Sequence, residues 1–384
     1  MKVVFAGGGG GHFYPIIAIA QELGALLEER RIANVQMYFI ADKPYDERAL
    51  FEHRLIFKRL STGKMRTYTS AASSENIIDM FKTGIACVHA IGMLFALYPD
   101  VVIGKGGYAS FPTLFAARLL RIPVIIHESD AVPGRVNRWA GKFAKRIAVS
   151  YPEAAQYFPQ GKTAFTGAPI RHEIQAPIRE GSHEFFGLDP ALPTLFVLGG
   201  SQGAQVINDG IVEALPQLVE RYQLIHQTGP LNLTEVEQTS ALTLENNPNA
   251  HRYKPLAYLN DEAMVRAAGI ADLVISRAGS TVFELASWGL PSIMIPLAIA
   301  HGDHQRKNAY IYAKAGACEV IDEANLTPHI LAAEINAVMD DPERRKRMAS
   351  AAKAFAKDNA AAKITQQIVA VLVDHRRMEA QPQE

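Results

Sequence analysis

Five consecutive glycines, Gly7, Gly8, Gly9, Gly10 and Gly11, followed directly by His12, form the first segment of this chain whose composition points to chemistry. Glycine lets a backbone approach a ligand closely and adopt left-handed conformations. Five in succession carry an entropic cost that packing does not offset. Pro15 stands just inside the expected start of a helix, where its missing N–H costs nothing. A helix N-terminus behind glycines suits a phosphate or a sugar. His12 is the first titratable group after the glycines. Its imidazole either takes a proton from an attacking hydroxyl or fixes the loop, and the residues alone leave both roles open. The run is a poor dinucleotide fingerprint, because the acidic residue Asp42 comes about thirty residues on instead of about twenty. It is not a Walker A sequence, since no Gly-Lys-Ser/Thr follows.

Other segments repeat this logic. Gly104-Lys105-Gly106-Gly107-Tyr108 closes an apolar run and offers a second glycine turn with a cation for an anionic group. His127-Glu128-Ser129-Asp130 closes another, where open α/β sheets place ligand-binding groups. In the second half, Gly199-Gly200-Ser201-Gln202-Gly203-Ala204 is again a strand-to-helix glycine turn, with a Ser201 hydroxyl able to donate to a phosphate oxygen. Ser276-Arg277-Ala278-Gly279-Ser280-Thr281 opens a helix that carries Glu284 one turn in, suited to a diphosphate and to the two hydroxyls of a ribose. A polar loop through Gln305 then leads to Asn308. No Asp-x-Asp arrangement for a metal–diphosphate and no zinc-spaced Cys/His cluster occurs, so phosphate charge falls to backbone dipoles and side chains such as Arg171.

These segments need a scaffold, and the hydrophobic pattern supplies it. Short apolar runs at residues 2–5, 36–40, 101–103, 124–127, 146–149, 194–197, 223–226, 273–276 and 292–295 read as strands buried on both faces. Helix-length segments separate them, which predicts α/β architecture with parallel, doubly wound sheets. The strand–glycine-turn–helix opening recurs half a chain later, so two Rossmann-like domains are expected, with a polar hinge near residues 168–182. The expected boundaries are 1–168 and 169–357, with a tail helix at about 358–376 packing back on the first domain and a flexible end at 377–384. Two cysteines in 384 residues argue against a disulfide framework, and the start of the chain reads as a strand and not as a secretory signal. The formal net charge is zero, but residues 1–150 hold 19 Lys+Arg against 12 Asp+Glu, which is +7, and the remainder is −7. A positive first half suits an anionic partner such as a phospholipid surface or a pyrophosphate. The uncharged run after Lys82 is short for a membrane span, and a core helix is the favoured reading for half or more of residues 84–98.

Taken together in order and spacing, these motifs and Thr166-Gly167-Ala168-Pro169-Ile170-Arg171 resemble the MurG family, the transferases that add N-acetylglucosamine to undecaprenyl-pyrophosphoryl-N-acetylmuramoyl pentapeptide. The resemblance covers nearly the whole chain. It implies a GT-B fold, two Rossmann-like doubly wound domains facing a cleft, and an inverting, metal-independent reaction without a cofactor. It implies that UDP-N-acetylglucosamine (UDP-GlcNAc) meets Gly9, Gly10, Gly11, Asp130, Arg171, Ser201, Leu259, Gly279, Ser280, Thr281, Glu284 and Gln305. Of these, Ser201 would touch phosphate, Glu284 the ribose, the Leu259 region the uracil and Gln305 the sugar hydroxyls. Lys105, Gly106, Gly107, Tyr108 and Glu128 would meet the acceptor, lipid I, with the first glycine loop beside them, and His12 would be the catalytic base. The implied partners are those two substrates, the cytoplasmic face of the cell membrane with peripheral attachment, and other cell-wall synthesis proteins, with no nucleic acid. For the membrane contact surface, the uncharged residues 84–98 with Lys142, Lys145 and Arg146 are the alternative to a core helix. Gly9 stands where the family usually has threonine, and Asp130 where many members have asparagine. The residues themselves leave open a GT-B transferase with another lipid acceptor, a UDP-sugar epimerase, and a UDP-sugar-binding protein without turnover.

Overall fold

The structure, a computed structural model, describes residues 1–63, 74–200, 203–298 and 303–379. The chain divides into two compact units, Met1–Arg171 with Asp358–Glu384, and His172–Lys357.

The first unit is built on a seven-stranded parallel sheet of β1 (Lys2–Ala6), β2 (Gln36–Ala41), β3 (Leu55–Arg59), β4 (Val101–Gly104), β5 (Val124–Glu128), β6 (Arg146–Val149) and β7 (Thr163–Phe165), in the order β3-β2-β1-β4-β5-β6-β7. The second unit has six parallel strands, β8 (Thr194–Leu198), β9 (Gln223–Gln227), β10 (Tyr253–Leu256), β11 (Ala271–Ser276), β12 (Ser292–Met294) and β13 (Cys318–Val320), in the order β10-β9-β8-β11-β12-β13. The expected α/β fold of two doubly wound parallel sheets is therefore borne out. In each sheet the order reverses beside the first strand, between β1 and β4 and between β8 and β11. Ligands of open α/β sheets bind at such reversals, beyond the carboxyl ends of the strands.

Nine strands coincide with the apolar runs of the sequence. The other four, β3, β7, β10 and β13, are the edges of the two sheets. An edge strand is half solvated and carries polar residues on its open side. Leu55–Arg59, for example, buries only its first residue.

The helix Tyr14–Glu29 starts with Pro15 in its first turn and buries Ile16, Ile17, Ile19 and Leu23 against β1 and β2. The C-terminal helix Ala360–Glu379 covers it, adding Ile364, Ile368 and Leu372 to the same core. The Thr365 hydroxyl donates to the carbonyl of Ile19 at 3.5 Å.

The helix Ser74–Leu97 corrects one expectation. Of residues 84–98, Ala86, Ala90 and Leu94 are buried, while Ile85, Val88, Phe95 and Tyr98 are exposed. Burial at every fourth position is one narrow stripe of a helix, and that stripe consists mainly of alanines. The apolar segment is also longer than the run after Lys82 suggests, because the helix begins before that lysine. Among the described residues, Ile77–Leu97 is the one segment long and apolar enough to cross a membrane, by length and composition.

The second core contains a polar network without formal charge. Asn208 donates through Nδ2 to the carbonyl of Thr228 at 3.0 Å, so its Oδ1 faces Nε2 of the buried His226 at 3.0 Å. Asn Oδ1 only accepts, so Nε2 carries the hydrogen and Nδ1 accepts from the Tyr253 hydroxyl at 2.7 Å. Burial pushes the His226 imidazole down to about 3. An unfolded histidine titrates near 6.5, so below that pH the unfolded chain takes up a proton that the folded chain refuses. Stability is then full above about 6.5 and falls as the pH drops toward 3. Between pH 7 and pH 5 we expect a loss of about 2 kcal/mol from this residue. Urea unfolding of wild type and His226→Gln at both pH values checks this. The variant should show the shallower pH dependence, and equal dependences would acquit His226.

Candidate active site

The turn after β1 is shaped by its surroundings. A Cβ on Gly7 would lie 2.7 Å from Cδ1 of Ile16, so the turn lies tight on the following helix. Gly10–His12 form a short 3-10 turn in which the His12 amide donates to the carbonyl of Gly9 at 3.4 Å. The His12 ring is oriented from β4: its Nδ1 meets the carbonyl of Lys105 at 3.2 Å. A carbonyl only accepts, so Nδ1 carries the proton and Nε2 keeps its lone pair. Nε2 points along Gly107, where a Cβ would be 3.6 Å away. Gly106 and Gly107 have φ of +85° and +75°, and a Cβ on Gly106 would come 2.7 Å from Nδ2 of Asn137. The turn after β4 therefore requires glycine at both positions.

Lys105 and Glu128 lie beneath this surface. Both are buried. The Lys105 ammonium donates to the hydroxyl of Ser129. Burial pushes its pKa down, against the pull of the Glu128 and Asp130 carboxylates. Glu128 is moved up by burial and by Asp130. Its carboxylate accepts from the amides of Asp130 (3.0 Å) and Gly134 (3.2 Å) and from Nδ2 of Asn137 (2.9 Å). These two residues brace the loops after β4 and β5. Tyr108, in the short 3-10 turn Tyr108–Ser110, is half-buried and lies nearer the surface. The Arg171 guanidinium stacks over the Tyr14 ring at 3.9 Å.

Two residues that sequence reasoning passed over complete this half. Asn137 joins the loops after β4 and β5, and Tyr45 fills the space beside Gly9. A Cβ on Gly9 would stand 2.1 Å from Cε1 of Tyr45. Tyr45 itself has φ of +63°, and its hydroxyl donates to Asp42 at 2.5 Å. Burial and the Asp42 carboxylate push its pKa far up, so the phenol stays protonated. Nothing in the spacing of residues 42–45 signals this contact.

In the second unit, Gly200 and Gly203 turn the chain out of β8 with φ of +83° and +81°. The helix Gln205–Arg221 follows. Ser201 lies outside the described residues. Gly279 has open space where a Cβ would be, and Ser280 and Thr281 start the helix Thr281–Trp288 with Glu284 in its first turn. Asn308 braces this turn from below, its Nδ2 donating to the carbonyl of Ala278 at 3.1 Å. Gln305 accepts from the Leu297 amide at 3.0 Å. Leu259 is buried, and its amide donates to Oε1 of Gln227 at 3.0 Å. Arg277 donates to the carbonyl of Ile295 (3.0 Å) and to Glu323 (2.9 Å), whose other oxygen accepts from the Ala298 amide (2.6 Å). Burial alone would raise the Glu323 carboxyl, but that amide and Arg277 hold it below the ordinary value. Thus His12, Gly9, Lys105, Gly106, Gly107, Glu128 and Asp130 gather at the ends of β1, β4 and β5. Gly200, Leu259, Gly279 and Ser280 belong to loops beyond β8, β10 and β11, while Thr281 and Glu284 lie in the helix Thr281–Trp288 after β11 and Gln305 in the helix His304–Lys314 after β12.

Residues 3–149 match the glycosyltransferase family 28 N-terminal domain, and residues 194–368 match the family's C-terminal domain. The chain is 37% identical over 369 residues, 95% of its length and 97% of the relative's, to the UDP-N-acetylglucosamine–N-acetylmuramyl-(pentapeptide) pyrophosphoryl-undecaprenol N-acetylglucosamine transferase of Thermodesulfovibrio yellowstonii. It is also 37% identical to the protein of that name from Geobacter sulfurreducens, over 96% of this chain and 98% of the relative. Among solved structures, MurG of Acinetobacter baumannii superposes with a TM-score of 0.69 at 28% identity, covering 96% of this chain and 98% of that one. A UDP-GlcNAc 2-epimerase from Neisseria meningitidis reaches the same TM-score of 0.69 at 14% identity, covering 96% and 100%, and shares the fold alone.

The contact between Gly9 and Tyr45 makes a stability prediction. Gly9→Ala should destabilise the chain by roughly 1–3 kcal/mol, because its methyl meets the phenol ring. In a Tyr45→Ala background the same change should be nearly neutral, a strong coupling between neighbours. Thermal unfolding of the four chains measures it, and additive losses would remove the contact as the cause.

Proposed function

Because the chain belongs to glycosyltransferase family 28, among its UDP-N-acetylglucosamine–N-acetylmuramyl-(pentapeptide) pyrophosphoryl-undecaprenol N-acetylglucosamine transferases, we propose that His12 is the base of a transfer from UDP-GlcNAc to lipid I. The chain is a glycosyltransferase of peptidoglycan synthesis. In the step we propose, the 4-hydroxyl oxygen of the muramoyl sugar forms a bond to the anomeric carbon, with inversion. The bond from that carbon to the diphosphate oxygen breaks, UDP leaves with the electron pair, and the hydroxyl proton passes to a base. The observation that carries this assignment is the bond from Nδ1 of His12 to the Lys105 carbonyl, which leaves Nε2 able to accept a proton.

The glycine turn at Gly199-Gly200 and the helix start at Gly279, Ser280 and Thr281 offer amide dipoles for the diphosphate, and Ser201 a hydroxyl. Glu284 is the ribose ligand in this reading, the backbone at Leu259 faces the uracil, and Gln305 serves the sugar. Gly106, Gly107 and Tyr108 meet the acceptor, with Lys105 and Glu128 holding their loops. Gly9, Gly10, Gly11, Asp130 and Arg171 complete the set near the reacting groups.

The acceptor's lipid tail places the reaction at the membrane surface, and we infer peripheral attachment on the cytoplasmic side through the Ser74–Leu97 helix. Supporting this, Met80, Phe81, Val88 and Phe95 are each about 70% exposed on a helix whose opposite stripe packs inward.

Transfer of labelled N-acetylglucosamine to a lipid-linked muramoyl-pentapeptide, with a chelator present, tests the reaction. Product with UDP release is expected. His12→Ala should lower turnover by ~10²-fold or more with little change in UDP affinity. Turnover like wild type in that variant removes His12 from the mechanism. Replacing Phe81, Val88 and Phe95 with serine should weaken binding to anionic phospholipid vesicles by about tenfold or more. Turnover of a short-chain, water-soluble acceptor should be unaffected. Vesicle binding equal to wild type would take the attachment away from this helix.

A further inference from the structure

One buried side chain bridges two of the donor-side loops of the second unit. Gln227 ends β9 and is 2% exposed. Its Nε2 donates to the carbonyl of Gly200 at 3.0 Å, and its Oε1 accepts from the amide of Leu259 at 3.0 Å. A carbonyl only accepts and an amide N–H only donates, so the side chain has one orientation that serves both. The two partners are far apart in sequence and belong to different parts of the proposed nucleotide site. Gly200 begins the glycine turn toward the diphosphate, and Leu259 supplies the backbone near the base.

The surrounding backbone has little freedom to compensate. Past the end of β9, Thr228 and Gly229 donate to the carbonyls of Leu256 and Ala257 at 2.9 and 3.1 Å. The Thr228 carbonyl accepts from Nδ2 of both Asn208 and Asn232, each at 3.0 Å. A Cβ on Gly203 would lie 2.1 Å from that same oxygen. The end of β9, the Leu256–Leu259 segment and the far end of the glycine turn are therefore one packed body. The near end of the turn meets that body through two backbone bonds, Gly203 N–H to the Gly200 carbonyl at 3.0 Å and Gly199 N–H to the Gln227 carbonyl at 3.5 Å, and through the Gln227 side chain, which alone of the three also reaches the Leu259 amide.

We propose that Gln227 is a positioning residue that holds the diphosphate-binding and base-binding halves of the donor site in register. This rests on the donor-site reading above. A nucleoside diphosphate then gains because its two ends bind as one linked ligand. Loss of the side chain should cost that linkage while leaving each half-site nearly intact.

The test is binding of UDP, uridine and inorganic pyrophosphate to the full chain, for wild type, Gln227→Leu and Gln227→Met. Leucine removes both bonds. Methionine keeps the length of the side chain and removes both bonds without adding a charge, so it carries the test should the leucine variant not fold. In both variants UDP should weaken about tenfold while uridine and pyrophosphate each change by less than about twofold. KM for UDP-GlcNAc should rise with kcat little changed. Equal weakening of uridine and UDP, or unchanged UDP affinity, overturns the proposal while wild-type UDP binding keeps the donor-site reading. Absence of UDP binding in wild type overturns both.

Discussion

A parallel sheet whose strand order reverses leaves one place on its carboxyl edge where neighbouring connections diverge to opposite faces. This chain contains that reversal twice, between β1 and β4 and between β8 and β11. Four of the motifs with chemical promise follow the strands at these reversals. The five glycines and His12 follow β1, and the Lys105 turn follows β4. The second glycine turn follows β8, and the Arg277 segment follows β11. The sheets tolerate hydrophobic exchange, but the turns must approach a ligand with bare backbone. That requirement puts glycine, and almost nothing else, at Gly106, Gly107, Gly200 and Gly203, all with left-handed φ.

Around the first reversal, one residue does two different things. The Lys105 carbonyl selects the tautomer of His12, while its ammonium is buried on Ser129 between Glu128 and Asp130. A carboxylate in place of that carbonyl would also orient the ring but would add a charge beside it. The carbonyl orients it and leaves the local charge unchanged. The buried ammonium offsets the carboxylates below, and Glu128 is in turn satisfied by two amides and Asn137. Ions buried this way cost less than unpaired ones and fix geometry more than they add stability.

The sequence was most legible where burial is complete. Central strands are apolar on both faces, so β1, β4, β8 and β11 stand out from periodicity alone, and with them the position of the turns. The edges β3, β7, β10 and β13 mix polar and apolar residues and are indistinct for the same physical reason. The helix Ser74–Leu97 misleads in the opposite direction: its apolar residues look like core, yet alanines at every fourth position supply most of the buried stripe. Side-chain braces were the least legible. Asn137, Gln227 and Tyr45 act through contacts with residues distant in sequence or, for Tyr45 and Gly9, in a separate loop. No spacing rule encodes such contacts.

The two glycine turns also differ in what enforces the glycine, and this separates a replaceable residue from an irreplaceable one. At Gly9 the forbidden space is occupied by the Tyr45 ring, a side chain that another residue could vacate. The volume that a side chain at Gly9 would need is thus taken by an aromatic ring anchored on Asp42. At Gly203 the forbidden space is a backbone carbonyl that already accepts from two asparagines. No second substitution removes a carbonyl, and the positive φ would penalise any side chain even if one did. Variation at the first turn can therefore accompany a change in what lies beside it, while the second turn is bound to the strand register of its own sheet.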